Sequence, residues 1–250
     1  MPPATTVAVE LVDGRHVARL THGLLRPQVV AADGRRCRIG LLATTALLLG
    51  GDVVELDVRV GPGARLDLFD VAGTIANHGR GLPCGWHVRL HVAAKGALTY
   101  AGEPFVVADG AEVTRTLDVD LAADAAAVLR DTVVLGRAGQ TGGSLRSLTA
   151  VRRAGRPVLV EDQRLDAAWW RAAPGMLAGH RVVDTVTWLG RAAPVPTTAT
   201  TYALVEGAGT LARWLGTSLA GSPLHRVDVA CAGLDPAPVD ATAQSTASTR

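Results

Sequence analysis

The chain has 250 residues, of which 48% are hydrophobic, and its 25 basic and 23 acidic residues give a formal net charge of +2. This is enough material for a sizeable core, and the near-neutral charge excludes a strong electrostatic attraction to nucleic acid or to a membrane surface. The three cysteines form no paired motif, so no disulfide framework is indicated and we expect a cytoplasmic protein.

The N-terminal part predicts short strands separated by turns. Residues 5–11 and 15–20 flank the turn Asp13-Gly14, as expected for a hairpin. Residues 41–49 are apolar on both faces, which indicates a strand that is covered from both sides. This run is too short to cross a bilayer as a helix, which takes ~20 apolar residues.

The clearest pattern follows directly. Residues 54–60 alternate between apolar and charged side chains, which is typical of a half-buried strand. A Gly-Pro-Gly turn at residues 61–63 leads to a second alternating run at 66–68, so we predict a hairpin. The same succession of strand, turn and strand recurs at residues 88–100 and 114–129.

The recurrence predicts an all-β protein in one domain, residues 1–232. We expect an elongated stack of short antiparallel strands and hairpins, resembling a β-helix or a sandwich, in which each unit buries its apolar face on the next. About two short helices are predicted near the C-terminus, at residues 166–172 and 210–219. Residues 233–250 have few large apolar side chains and predict a disordered tail.

Several motifs, through their order and spacing, resemble the urease accessory protein D family, also called H. They are a Gly-Gly-Asp sequence after an apolar run, the Gly-Pro-Gly turn, a Gly-Ala-Leu sequence followed by Gly-Glu-Pro, and a Leu-Gly-Arg sequence. The motif positions to which we assign a structural role are Gly50, Gly51, Gly61, Gly63, Gly96, Pro104, Gly136 and Arg137. The resemblance extends from His22 to Gly190.

The resemblance implies a protein that is not an enzyme and that takes part in loading nickel into urease. It implies binding to apo-urease and to the accessory F protein, and through F to the nickel-carrying GTPase G protein, with two copies of the chain in a hetero-oligomer. It also implies a passage for transient nickel through the β body and no tightly bound cofactor.

Acidic residues inside or beside the motifs are candidate ligands along this passage. Carboxylate oxygens bind divalent cations, and weak, spaced ligands would let an ion move on. The candidates are Asp52, Glu103, Asp131 and Glu161. Turn caps and partners of arginine explain each of them equally well.

One alternative is a metal-dependent enzyme. Cys84 and His87 have the Cys-x-x-His spacing of a metal site, and His78 and His91 lie nearby in sequence. In a strand, however, His87 and His91 would stand ~13 Å apart at ~3.3 Å per residue, too far to share an ion. Cys84 with His87, joined by His78 across the loop, is the remaining candidate set, and ordinary loop and surface side chains are the other explanation.

A second alternative is a nucleotide-dependent enzyme. Gly207, Gly209 and Ala212 form a Gly-x-Gly-x-x-Ala pattern between a predicted strand and a predicted helix, as in a dinucleotide fingerprint. Such a site needs alternating strands and helices, whereas the preceding residues predict hairpins. A third possibility is an interaction module without a part in metal delivery.

Overall fold

The structure is a computed structural model that describes residues 3–166, 177–191 and 198–226. The strands are, in chain order, β1 (Thr5–Val12), β2 (Arg15–Thr21), β3 (Leu25–Ala32), β4 (Cys37–Ala43), β5 (Val53–Val60), β6 (Arg65–Asp70), β7 (Thr74–Ala76), β8 (Cys84–Val92), β9 (Ala97–Ala101), β10 (Phe105–Val107), β11 (Glu112–Leu121), β12 (Ala126–Leu135), β13 (Ser144–Arg153), β14 (Arg156–Asp166), β15 (Val182–Leu189), β16 (Thr200–Ala203) and β17 (Gly209–Gly216). Three short 3-10 helices span Val205–Gly207, Leu219–Gly221 and Pro223–Arg226. Within the described ranges no helix is long and apolar enough to cross a membrane.

The strands form two sheets that face each other across the core. Sheet A has the strand order β14-β13-β11-β8-β5-β1-β2, and sheet B has the order β16-β17-β15-β12-β9-β6-β4-β3 with β7 and β10 alongside. Apart from β7 and β10, the chain alternates between the sheets from β4 to β12, and β6, β8, β9, β11 and β12 each pair in parallel with an earlier strand of the same sheet. The predicted all-β stack is confirmed, and its form is a coil of β-strands.

The hairpin predicted for residues 54–68 is wrong in its pairing. Both strands exist, but β5 pairs with β1 and β8, whereas β6 pairs with β4 and β9. The turn between them has a 3.1 Å hydrogen bond from the Ala64 N–H to the Gly61 carbonyl, and Gly63 has a φ of 67°. This turn carries the chain from sheet A to sheet B. The predicted hairpins β8-β9 and β11-β12 are wrong in the same way, because alternation identifies a strand's buried face and leaves its partner open.

The hairpin predicted around Asp13-Gly14 is confirmed, because β1 and β2 pair antiparallel there. Strands β13 and β14 also pair antiparallel, around Ala154-Gly155. All four turn residues have positive φ, the conformation of the two-residue turn that matches the twist of the flanking strands.

Two element predictions differ from the structure, and others lie outside it. The helix predicted at residues 210–219 is wrong: Gly209–Gly216 is β17, whose backbone pairs with β15 and β16 on its two sides. Sheet pairing and the burial of Leu211 there outweigh local helix propensity. The strand predicted at residues 41–49 ends at Ala43, and a loop follows. The predicted tail at 233–250 and all but Asp166 of the helix predicted at 166–172 lie outside the described residues.

Apolar side chains fill the space between the sheets and part of the outer face of sheet B. The main core includes Leu56 and Leu121 of sheet A and Leu66 and Leu98 of sheet B, all almost completely buried. A second cluster on the outer face of sheet B is covered by Leu224 of the last 3-10 helix. The C-terminal described segment therefore packs over sheet B.

A buried carboxylate fixes this segment. Asp184 of β15 has an exposed fraction of 0% and lies on the outer face of sheet B. It accepts hydrogen bonds from the Arg130 guanidinium at 3.0 Å, from Thr132 Oγ1 at 2.8 Å and from Ser222 Oγ at 2.6 Å. Ser222 Oγ in turn accepts the Leu224 N–H at 3.1 Å. One carboxylate thus joins β12, β15 and the segment that covers them.

Asp184→Ala is expected to lower the free energy of unfolding by about 3–5 kcal/mol, because it removes the Asp184 carboxylate from beside the largely buried Arg130 charge. Asp162→Ala is the matched control, since Asp162 pairs with Arg146 at the protein surface. That variant should lose much less stability, because an ion pair exposed to solvent contributes little. Urea unfolding of both variants measures the difference, and equal losses would contradict the network's role.

Candidate functional site

Charged side chains interrupt the apolar layer between the sheets. On β11 the side chains of Val113, Arg115 and Leu117 face sheet B, so Arg115 occupies a position where the pattern calls for an apolar residue. Its guanidinium group donates to Asp131 of β12, with contacts of 2.6 and 3.4 Å. The Arg115 side chain is 15% exposed and the Asp131 side chain 41%. This ion pair joins sheet A to sheet B.

A second ion pair joins the sheets, and here sheet A carries the acidic residue and sheet B the basic one. Glu161 of β14, in sheet A, accepts hydrogen bonds of 2.7 and 2.8 Å from Arg213 of β17, in sheet B. Arg213 Nε also donates to Thr185 Oγ1 at 3.2 Å. Burial alone would raise the pKa of Glu161, but the hydrogen bonds and charge of Arg213 outweigh it and hold that pKa below its ordinary range.

These groups follow one line across the interior. Strands β6, β9, β12, β15 and β17 are consecutive in sheet B. We call the line the polar row, and its members are Asp70, Tyr100, Arg115, Asp131, Thr185, Arg213 and Glu161. With strands ~4.8 Å apart, the row extends about 19 Å from β6 to β17. The row therefore runs across the strands of sheet B, in the direction in which successive turns of the coil stack.

A cavity of ≈ 50 Å³ opens at the β6 end of the polar row. Its polar lining includes Asp70, Tyr100, Glu103, Arg115 and Asp131. Two aromatic rings complete the wall: the Arg115 guanidinium carbon lies 4.5 Å from the centre of the Phe105 ring, which meets the Trp86 ring edge-on. This volume and this lining suit a few hydrogen-bonded water molecules.

The cavity holds a carboxyl group with a strongly shifted pKa. Burial raises the pKa of Asp70 to about 7, although a hydrogen bond from the Glu103 N–H and one from the Tyr100 hydroxyl act in the opposite direction. Burial also raises the pKa of Tyr100, so this hydroxyl keeps its proton and remains a donor. Asp70 therefore exchanges its proton near neutral pH.

Three of the four acidic candidates lie in the polar row or in the cavity beside it. Glu103 and Asp131 line the same cavity, and Glu161 lies at the far end of the polar row. Asp52 lies apart from the row and caps a turn, where it accepts the Leu49 N–H at 2.8 Å. Sequence reasoning missed Asp70, Tyr100, Arg115 and Arg213. For Asp70, Tyr100 and Arg115 the available signal was their place in the alternation, on the side of each strand that otherwise faces the core, whereas Arg213 lies in the segment predicted as a helix.

The metal candidates do not converge. Cys84 is buried with the inward-facing residues of β8, and burial raises the pKa of its thiol to about 11. His87, an odd number of positions along the same strand, faces the other side and contacts Thr116 Oγ1 at 2.9 Å. His91 lies near Asp120, and His78 accepts a backbone N–H within its own loop. Over the described ranges no three His, Cys, Asp or Glu residues are grouped to hold a metal ion.

The glycine pattern near the C-terminus lacks the context of a nucleotide site. Gly207 ends a 3-10 helix, and Gly209 begins β17 in place of a helix. A pyrophosphate binds to the free N–H groups at a helix N-terminus. Residues 209–216 form a strand that is paired on both sides, so this segment offers no such helix N-terminus.

Five of the six motif glycines lie where the backbone leaves no room for a side chain or turns with positive φ. A Cβ on Gly50 would lie 2.4 Å from the Gly79 carbonyl oxygen, and one on Gly96 would lie 2.8 Å from the Ala93 carbonyl oxygen. Gly51, Gly63 and Gly136 have positive φ, and the Gly61 carbonyl closes the turn after β5.

The two other motif positions contribute contacts between loops. Arg137 donates to Asn77 Oδ1 at 2.6 Å, and the Pro104 carbonyl accepts the Thr74 N–H at 3.1 Å. These contacts give the motif residues structural roles around the coil.

Asp70→Asn is expected to remove a pH dependence of stability. The pKa of Asp70 rises from its ordinary value of 3.8 to about 7 on folding, so within this window the folded state binds more protons. The stability contribution of Asp70 is present in full below the lower value and is lost as the pH rises to the upper one. The loss is at most ~1.4 kcal/mol per pH unit.

Urea unfolding at about pH 5 and about pH 8 tests this prediction. When the pH is raised from about 5 to about 8, the unsubstituted protein should lose more stability than the Asn variant. Asp162→Asn is the control, because Arg146 holds the pKa of Asp162 below its ordinary value, outside this window. A stability difference between Asp70→Asn and the unsubstituted protein that is the same at both pH values would show that Asp70 does not titrate there.

Comparison with known proteins assigns the chain to a family. Residues 15–232 match the sequence profile described as UreD urease accessory protein. Urease accessory protein UreD 1 of Streptomyces griseus is 47% identical over 197 residues, which cover 77% of this chain and 76% of the relative. Urease accessory protein UreD 1 of Saccharopolyspora erythraea is 36% identical over 230 residues, which cover 85% of this chain and 88% of the relative. The chain therefore belongs to the UreD family of urease accessory proteins.

Proposed function

We propose that the protein is a non-enzymatic factor of urease maturation that conducts nickel along the polar row. It binds apo-urease and the accessory F protein, and through F the nickel-carrying GTPase G protein, in a cytoplasmic hetero-oligomer with two copies of the chain. Nickel is a transient cargo in this proposal, and the protein holds no tightly bound cofactor. Family membership supports a role in urease maturation, and the polar row supports the conduction of nickel.

The observation that carries the proposal is the line of charges between two otherwise apolar sheets. Burying charged groups costs free energy, and well-packed apolar side chains would join the sheets as well or better. Two inter-sheet ion pairs and a carboxyl group with a raised pKa therefore indicate a task other than stability.

The chemistry of the row suits a moving divalent cation. The ligand atoms of the row are the carboxylate oxygens of Asp70, Asp131 and Glu161 and the hydroxyl of Thr185, and Glu103 adds a carboxylate in the cavity beside it. Imidazole and thiolate groups, which hold nickel and similar ions more firmly, are absent from the described part of the row. Oxygen ligands spread along about 19 Å give an ion successive weak positions.

The shape of the protein suits a scaffold between partners. A rigid stack of strands separates two ends, so that different proteins can bind far apart on one frame. Several large apolar side chains are exposed, among them Val30, Val71, Leu82 and Val160. Protein partners are the natural cover for exposed apolar groups.

Replacing the cavity carboxyl groups should block delivery while the complex still assembles. We expect the triple variant Asp70→Asn, Glu103→Gln, Asp131→Asn to lower the nickel content of matured urease about tenfold or more, which corresponds to ~1.4 kcal/mol in the barrier to ion passage. The matched control, Asp57→Asn, Asp120→Asn, Asp162→Asn, changes carboxyl groups on the outer face of sheet A. Elemental analysis of purified urease gives the nickel content, and co-purification gives assembly. Equal nickel with both variants and intact assembly would refute conduction through the cavity.

Co-expression with the accessory F protein should raise the soluble yield of the chain, because the partner covers exposed apolar side chains. The soluble fraction is compared with F, without F and with an unrelated protein expressed at the same level. A yield that does not depend on F would count against this partner.

A further inference from the structure

We propose that Arg115 keeps the cavity closed to cations until its guanidinium group leaves Asp131. This inference rests on the proposed function and adds to it the residue that decides when an ion enters. The arginine and a divalent cation would use the same carboxylate oxygens, so only one of them can occupy Asp131 at a time.

Arg115 is placed where it can block a cation from Asp131. Its guanidinium group lies in the wall of the cavity, bound to Asp131 at 2.6 Å and lying over the Phe105 ring at 4.5 Å. It is close enough to Asp70 to lower the pKa of that carboxyl group, although burial dominates. A fixed positive charge between two carboxyl groups repels a cation and neutralises one of its ligands.

The hydrogen bonds of Arg115 are fewer than expected for a purely structural ion pair. Its Nε atom is buried and has no hydrogen-bond partner within the described residues. A buried donor without an acceptor costs free energy, so a purely structural site would be expected to satisfy it. The ring face of Phe105 can support a guanidinium group without fixing it by hydrogen bonds. Asp131 is thus the principal anchor.

Release is sterically possible. Asp131 is partly open to solvent, and the cavity beside it provides free volume next to the guanidinium group. Tyr100 and Glu103 line the same cavity, so an ion that displaces Arg115 from Asp131 meets further oxygen atoms. At the other end of the polar row Arg213 binds Glu161 through its two terminal nitrogens, and its Nε donates to Thr185.

The test measures the affinity of the full-length protein for Ni²⁺ by equilibrium dialysis, with circular dichroism as a check on folding. Arg115→Gln removes the charge and keeps a polar side chain, and it should bind Ni²⁺ about tenfold more tightly than the unsubstituted protein. Arg115→Lys keeps the charge and should leave the affinity unchanged. Adding Asp131→Asn to Arg115→Gln should abolish the gain.

Arg146→Gln is the matched control, because Arg146 forms a similar ion pair with Asp162 on the outer face of sheet A. An unchanged affinity of Arg115→Gln would overturn the inference, and so would an equal gain with Arg146→Gln or with Arg115→Lys. The proposed function fails separately: it fails if the carboxyl variants leave the nickel content of urease unchanged, whatever the affinity of the Arg115 variants.

Discussion

Charges placed between two packed sheets require partners of opposite sign, and this constraint determines the interior of the molecule. Arg115 and Asp131 are partners across the sheets, and Arg213 and Glu161 are partners with the charges exchanged. Asp70, which hydrogen bonds to Tyr100 and has no such direct ion pair among the described contacts, avoids the cost by holding a proton up to about neutral pH. Every charge in the polar row is thus balanced by an ion partner or a proton, and under the proposed function a cation enters by disturbing that balance.

The coiled architecture explains how such a line can form. From β6 to β12 each turn of the coil adds one strand to sheet B in parallel register, and β15 and β17 continue the sheet in antiparallel register at the same spacing of ~4.8 Å. Asp131, Thr185 and Arg213 are direct partners in this register and form a continuous row, whereas Tyr100 lies one inward position away, opposite Leu129. The tight turns after β5, β8 and β11 set where β6, β9 and β12 begin, because each is closed by a hydrogen bond over three residues at Ala64, Gly96 and Ala125.

Sequence reasoning predicted the strands well and their partners poorly. The alternation in residues 54–60 identified β5 and its buried face, but a Gly-Pro-Gly turn can either fold a strand back on its neighbour or carry it to the opposite sheet. Only the distant strands β1, β4, β8 and β9 decide between these outcomes. The site was predicted in part: Glu103 and Asp131 line the cavity, whereas Asp70 and Arg115 were passed over. Arg115 occupies an inward position of a predicted strand, and Asp70 continues the alternation two residues beyond the predicted run 66–68. A charge at such a position was the available clue.

The central claim is that a divalent cation enters the space between the sheets. Anomalous X-ray scattering at the nickel absorption edge, from crystals of the protein with its accessory partner soaked in Ni²⁺, tests it most directly. The account predicts an anomalous peak between the sheets within bonding distance of Asp131, with Arg115 turned away from that carboxylate. Nickel found only at surface histidines such as His91, with the Arg115 and Asp131 pair intact, would contradict it.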